Sequence, residues 1–337
     1  MPARTSLRGS APRSFGVLTV AAALAGFAAP TAMASPPSAA HATTVPGAAN
    51  CPMFPANNVW NTGVSALPVD AHSAQWLAAM SSASTDLHPD FGPSGDPALP
   101  YGIPYTVVSP GQRLVRLSFQ YASESDPGPY PFSATTPIEG GASSGGDRHA
   151  IMVNPRTCTL YELYDARYSP SGSTAGSEAI WHLRSNALRP AGWTSADAAG
   201  LPILPGLLSY EEVRSGRVEH AIRMTAEVTD TSYLWPARHE AGARADPALP
   251  PMGARFRLAA SFPVAHYSRL ARVVLRTMQR YGLIVADNGS NWYFQGVAEA
   301  WPLSLVDELK SIPASAFQAV DESSLEISAN SGAARKR

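Results

Sequence analysis

Proline occupies 31 of 337 positions, scattered along the chain rather than clustered, which is about twice its usual share. Each proline removes a backbone donor and fixes φ, so long helices and uninterrupted central strands are few. Short strands joined by loops are the expected outcome. Strands are predicted over Tyr105 to Val108, Arg113 to Tyr121, His149 to Val153, Cys158 to Asp165, Ala179 to Arg184, Val218 to Thr225, Arg255 to Ala259, Leu283 to Asp287 and Asn291 to Gln295. Asn288-Gly289 joins the last two as a two-residue hairpin with Val285 opposite Trp292. One longer helix is signalled from Ser268 to Tyr281, with Leu270, Val274, Met278 and Tyr281 on one face and Gly282 at its stop. Capping boxes at Thr194/Asp197 and Ser209/Glu212 mark two shorter helices, and Gln75 to Ser82 a further turn or two. The expected fold is mainly β, a β-sandwich or jelly roll, with a few short helices and one longer helix near 268–281.

The ends of the chain carry other signals. Arg4, Arg8 and Arg13, the apolar run Gly16 to Ala29, and Ala32-Met33-Ala34 read as an export signal over residues 1–34. That run is too short to span a bilayer, so a secreted, extracellular chain without a membrane anchor is expected. Residues 35–50 and 322–337 lack periodicity and are expected to be disordered, leaving a single β-rich domain at 51–321. Without the three signal arginines, 22 basic residues face 26 acidic ones. No Lys/Arg cluster appears in the sequence, which argues against nucleic acid as a partner. The lone cysteines, Cys51 and Cys158, are expected to pair in an oxidising compartment, and the chain to act as a monomer.

The stretch Pro137 to Asp165 carries the densest chemistry. A glycine-rich loop feeds a hairpin whose strands hold a His, two acids and a Tyr among apolar residues, and such groups need partners or a purpose. With Asn154 to Thr157 as a four-residue turn, Ile151 faces Leu160, His149 faces Glu162 and Asp147 faces Tyr164, all on one sheet face. A carboxylate beside an imidazole fixes its tautomer and raises its pKa, and a tyrosine nearby is a second proton carrier. His149, Glu162, Asp147, Tyr164 and the loop residue Glu139 are the candidate catalytic set; a His–Glu pair that only ties two strands is the alternative.

This stretch, with FPANNVWN (Phe54 to Asn61), HPDFG (His88 to Gly92), SESDPGPYP (Ser123 to Pro131), the segment Ser185 to Leu207, LWPARH (Leu234 to His239) and VADNGSNWY (Val285 to Tyr293), resembles a family of secreted bacterial proteins. The resemblance spans Cys51 to about Asp321. It implies export and supplies no catalytic residues. Members of that family follow the DNGS segment with an Arg-Trp-Asp run, where Ala300-Trp301-Pro302 stands here.

Other motifs carry less. Gly141 to Gly145 matches G-x-S-x-G but lacks the strand and helix that a nucleophile elbow at Ser143 requires. His239-Glu240 starts like a zincin helix, yet position 243 is Ala. His220 shares a face with Val218, Ile222 and Met224 and reads as a core histidine. The arginines at 269, 272, 276 and 280 read as a solvated basic face, with a polyanion stripe as the alternative. Asp147, His149 and Glu162 form a mixed oxygen and nitrogen set for a divalent metal, but no second histidine supports it, and no cofactor is expected. Arg148, Arg223, Trp193, Trp235 and Trp292 are the candidate substrate-binding residues. Together these features predict a carbohydrate-active enzyme, a glycoside hydrolase or polysaccharide lyase working on extracellular or wall polysaccharide. A non-catalytic sugar- or wall-binding protein and a metal-dependent extracellular hydrolase are the alternatives.

Overall fold

The computed structural model describes residues 43–335. The expected export signal and most of the linker after it lie outside the described residues. A short hairpin, β1 (Thr44–Val45) and β2 (Ala48–Pro52), opens the domain. Helix α1 (Ser73–Ala79) and strands β3 (His88–Asp90), β4 (Tyr105–Val107) and β5 (Leu117–Phe119) follow. Next come β6 (Ala150–Asn154), β7 (Thr159–Leu163), β8 (Ser173–Ala175), β9 (Glu178–His182) and α2 (Tyr210–Ser215). Then run β10 (Ile222–Ala226), β11 (Arg255–Leu258), α3 (Arg269–Arg280), β12 (Leu283–Asn288) and β13 (Tyr293–Gln295). Helix α4 (Leu303–Leu309), β14 (Phe317–Val320), β15 (Glu326–Ser328) and β16 (Ser331–Ala334) complete it. The chain is therefore mainly β. Among the described residues no helix is long and apolar enough to cross a membrane.

Two sheets dominate. The larger has the order β14-β11-β12-β10-β13-β3 and the smaller β4-β6-β7-β9. Parallel neighbours, β10 with β12 and β4 with β6, set both apart from the all-antiparallel strand order of a jelly roll. The smaller sheet is buried on both faces. Ile151, Val153, Leu160 and Trp181 join the main core with Phe256, Val285 and Phe294 of the larger sheet. Their alternating neighbours Ala150, Met152, Tyr161 and Leu163 pack with Tyr130 and Phe132 in a second core. Helix α3 starts where the Ser268 hydroxyl caps Ala271 N–H and presents Ala271, Val274, Leu275 and Met278 to the main core. It ends at Tyr281, before Gly282 at φ 72°.

Four expectations need correction. Leu283 to Gln295 is not a hairpin: β10 lies between β12 and β13, parallel to the first and antiparallel to the second. The first four residues of β12 are all buried, and a run apolar on both faces belongs at the centre of a sheet, paired on both sides. Gly289 donates its N–H to the Ala226 carbonyl across the end of β10, and positive φ falls on Trp292 instead.

The capping box at Thr194/Asp197 starts no helix, because the Asp197 carboxylate is taken by Arg223; the box at Ser209 does start α2. The third correction concerns residues 322–337, expected to be disordered. Through Arg335 they form the β15–β16 hairpin, which bonds back to Asn57 and Asn186 through Ala334 and Gly332 N–H groups. Backbone hydrogen bonding and two buried side chains, Leu325 and Ala334, hold a segment whose composition has no pattern. The end of the 35–50 linker likewise contributes β1 and most of β2.

The fourth is the hairpin register. Asn154 Oδ1 accepts from Arg156 and Thr157 N–H, and Cys158 takes φ 52°, so the turn comprises residues 155–158 and Asn154 pairs with Thr159. This slips the pairing by two residues: Ile151 faces Glu162, and Val153 faces Leu160. A slip of two keeps every side chain on its predicted face but takes His149 away from Glu162. Cys158, at the end of that turn, is disulfide-bonded to Cys51 on β2.

Candidate functional site

Where the two sheets meet, a cleft opens as two adjoining chambers of about 450 Å³ and 340 Å³. Asp147, Asp287 and Asn288 line both chambers and form the neck between them. Tyr121, Glu124, Tyr164 and His239 furnish the larger chamber. Asp90, Tyr101, Glu139, His149, Arg223 and Tyr293 furnish the smaller. All but one of the sequence segments quoted for the family resemblance reach this cleft; Phe54 to Asn61 alone does not. Asp287 sits near the end of β12 and Arg223 on β10, while Asp147 stands exposed at the mouth of the glycine-rich loop.

His149 is buried, and its partner is Glu139. Nδ1 lies 2.7 Å from Glu139 Oε2 and Nε2 lies 3.1 Å from the Ala196 carbonyl oxygen. Both neighbours only accept, so both ring nitrogens donate and the ring is an imidazolium. Burial alone lowers its pKa, but the charge and hydrogen bond of Glu139 outweigh that and hold it up at about 9. Glu139 responds in kind: burial pushes its carboxyl up, and His149 more than reverses this, leaving it below its ordinary value. A ring committed at both nitrogens at neutral pH abstracts no proton, so His149 is a fixed cation in the wall. Tyr164, whose ring centroid lies 6.0 Å away, is kept protonated by burial and by Asp147, Asp165 and Asp287.

Glu162 is not in the cleft. Its carboxylate is fully buried and accepts from Trp181 Nε1 at 2.9 Å, Ile203 N–H at 3.0 Å and Leu204 N–H at 2.8 Å. Burial pushes this carboxyl up to about 7 against the pull of those donors. It anchors the 203–206 turn to the smaller sheet, and the mixed metal set with Asp147 and His149 is not assembled. Among the described residues no three His, Cys, Asp or Glu side chains are gathered to hold a metal ion.

The expected substrate-binding residues are mostly engaged elsewhere. Arg148 is buried and donates to the Ala142, Ser144 and Ala166 carbonyls, bracing the glycine-rich loop. Trp292 is in the core with its Nε1–H on the Met80 carbonyl. Trp235 donates to the Ser331 carbonyl, and Trp193 lies under the Arg189 guanidinium, 5.4 Å from its ring centroid. Arg223 does reach the smaller chamber, but its guanidinium grips Asp197 at 2.9 and 2.6 Å. The aromatic surface of the cleft is tyrosine: Tyr121 and Tyr164 in one chamber, Tyr101 and Tyr293 in the other, the last stacked on His88 at 4.0 Å.

Asp287, near the end of β12, lies outside the candidate set read from the sequence. Its side chain is 24 % exposed, and Oδ2 lies 3.6 Å from Arg223 Nη2. Burial, then the Asp197 charge, push its carboxyl up to about 8; Arg223 and His149 pull it back, and Asp147 pushes it further up. A carboxylic acid protonated at neutral pH therefore faces an exposed aspartate across the neck of a cleft. The available signal was an Asp closing an otherwise apolar strand inside the VADNGS segment. Asp197, in a run of small residues, offered none. No protein-family model, curated protein or solved structure matches the chain.

Proposed function

We propose that the chain is a glycoside hydrolase acting on polysaccharide outside the cell, with Asp287 as proton donor and Asp147 as its exposed partner. The observation that carries this reading is the pair at the neck: one carboxyl held neutral to about pH 8 and one exposed carboxylate, between two tyrosine-lined chambers. Two carboxyl groups with opposed environments are the general requirement of glycosidic cleavage. A glycan threaded across the neck places its bridging oxygen at Asp287, which donates its proton as the bond breaks. Asp147 then faces the positive charge that develops at the anomeric carbon, where a water molecule adds and passes its proton to Asp147. Tyrosine rings on either side give sugar faces to stack on.

The same geometry favours hydrolysis over elimination. A lyase acting on uronates needs a cation free to neutralise the sugar carboxylate, and here Arg223 is held by Asp197, His149 by Glu139 and Arg148 by three carbonyls. With Glu139 and Asp197 paired to those cations, Asp90, Glu124 and Asp147 still leave the cleft walls acidic, so neutral or amine-bearing glycans suit them. The Cys51–Cys158 bridge supports an oxidising compartment.

The test is a panel of neutral, amine-bearing and uronate polysaccharides with the full chain, Asp287→Asn and Asp147→Asn. Each variant should lose at least about 100-fold in kcat while melting no more than about 3 °C below the parent. Cleavage retained by Asp287→Asn refutes the assignment. Binding without cleavage by all three proteins means a sugar-binding protein instead.

A further inference from the structure

A second charged surface lies on elements the cleft does not use. Helix α3 carries Arg269, Arg272, Arg276 and Arg280 and no acidic residue, and Arg269, Arg276 and Arg280 are exposed. The simplest account is a solvated face whose last turns favour cations beside the helix C-terminal carbonyls. That account leaves the flanks unexplained. On one side Arg276 and Arg280 border a groove of about 170 Å³ that also takes Arg217 and Tyr281. On the other side the same two arginines border a groove of about 370 Å³ that takes Arg257, Gln279 and Gln318.

Arg276 and Arg280 thus form a ridge between two grooves, with a further arginine in each. Among the described residues no carboxylate lies within 4.0 Å of Arg257, Arg276 or Arg280. The one acid lining either groove, Glu219, is held by Arg217 at 2.7 Å. The arginines are also positioned. The Arg257 guanidinium donates to the Val64, Ser65 and Leu67 carbonyls at 2.8, 3.0 and 2.7 Å, and the Arg280 guanidinium lies 5.1 Å over the Tyr281 ring. Like charges gathered without counterions repel one another, and in a chain with more acidic than basic residues such a gathering fits an external anion.

We infer that this ridge and its two grooves bind a linear polyanion whose repeating units carry phosphate or carboxylate groups. The guanidinium fork matches both oxyanions. Four residues of helix advance about 6 Å, so Arg276 and Arg280 meet charges on successive units of an extended polymer while Arg257 takes those on one flank. The site is independent of the cleft and would hold the protein on an anionic matrix without occupying the neck.

The test uses fluorescence anisotropy of the full chain with labelled polyphosphate, oligogalacturonate, neutral dextran and single-stranded DNA at 20 and 200 mM NaCl. One or both of the first two should bind at 20 mM and weaken at least tenfold at 200 mM, the tighter of them naming the oxyanion; dextran should not bind. Arg276→Gln/Arg280→Gln should lose at least tenfold at an unchanged melting temperature, since both side chains project into solvent. The exposed pair Arg113→Gln/Arg116→Gln should bind like the parent. No binding at 20 mM overturns the inference, and so does an equal loss in both double variants, which would reflect overall charge alone. DNA binding as tight as either polyanion would replace the assignment with a nucleic-acid surface.

Discussion

Replacing Arg223 with methionine separates the structural and chemical duties of the charges around the neck. Arg223 and Asp197 are 3 % and 0 % exposed, and the Asp197 carboxylate has the guanidinium as its bidentate partner. Arg223→Met leaves that carboxylate buried without its cation, which costs about 3–5 kcal/mol. For about 290 residues the unfolding entropy is roughly 0.6 kcal/mol per kelvin, so the melting temperature should fall by about 5–8 °C near pH 8. The orphaned Asp197 gains a raised folded-state pKa. An acid raised above its unfolded value contributes stability that is fully present below the unfolded pKa and lost as pH rises through the folded one. The deficit should therefore be smaller at pH 5 than at pH 8, by up to about 1.4 kcal/mol for each unit that Asp197 is raised. Adding Asp197→Asn removes the stranded charge and should restore most of the loss. Because Arg223 pulls the Asp287 carboxyl down while Asp197 pushes it up, residual activity in Arg223→Met should extend to more alkaline pH, and the double variant, which removes both charges, should lose that extension. Calorimetric melts of the parent, both single variants and the double variant at pH 5 and 8 test this. An Arg223→Met melt within about 1 °C of the parent at pH 8, or a double variant no better than the single one, would refute the reasoning.

Other outcomes follow from single contacts. Cys51→Ala/Cys158→Ala opens a link across 107 positions and should cost about 4–5 kcal/mol on the chain-entropy model; a loss under about 1 kcal/mol in chemical denaturation would contradict it. Glu162→Gln gives three converging N–H donors a side chain with one acceptor and should lower stability by about 2 kcal/mol while kcat holds, the reverse of what a catalytic role requires. Asp287→Asn should abolish activity yet gain stability relative to the parent between pH 4 and 8, since a folded pKa raised to about 8 means the parent loses stability over that interval. Melts at both ends of the range decide the sign.

How much of this could be read from the sequence depends on the distance over which each cue acts. Strands β6, β7, β9 and β11 fall where alternation places them, and α3 runs between its serine cap and Gly282, because those cues lie within a few residues of the structure they specify. The Cys51–Cys158 bridge was legible by count alone. The Asn288-Gly289 hairpin was not realised, because the turn preference is local while the insertion of β10 is set by a strand some sixty residues earlier. The His149–Glu162 pairing failed through Cys158, whose left-handed φ moves the four-residue turn one position along the chain without any glycine to announce it. Glu139 lines the smaller chamber, and its position as the direct partner of His149 depends on the path of a loop. Asp197 and Asp287 were invisible as a pair because they lie ninety residues apart and meet only through Arg223.

The buried charges also show why the ionisable groups in apolar strands divide as they do. Glu162 sits where only N–H donors converge, and His149 where only oxygen acceptors do, so neighbours take up the hydrogen-bonding capacity of each. A group committed in that way holds structure and offers no free atom to a substrate. Asp287 differs: Oδ1 takes the Asn288 N–H at 2.8 Å, Oδ2 stands 3.6 Å from Arg223, and the side chain reaches the cleft. Its two charge states lie close in energy near pH 8 because burial and the Asp197 and Asp147 charges raise it against the pull of Arg223 and His149. The two ion pairs, Arg223–Asp197 and His149–Glu139, thus do their work by setting the field at a third carboxyl. The proton that can move is the one whose surroundings leave it undecided.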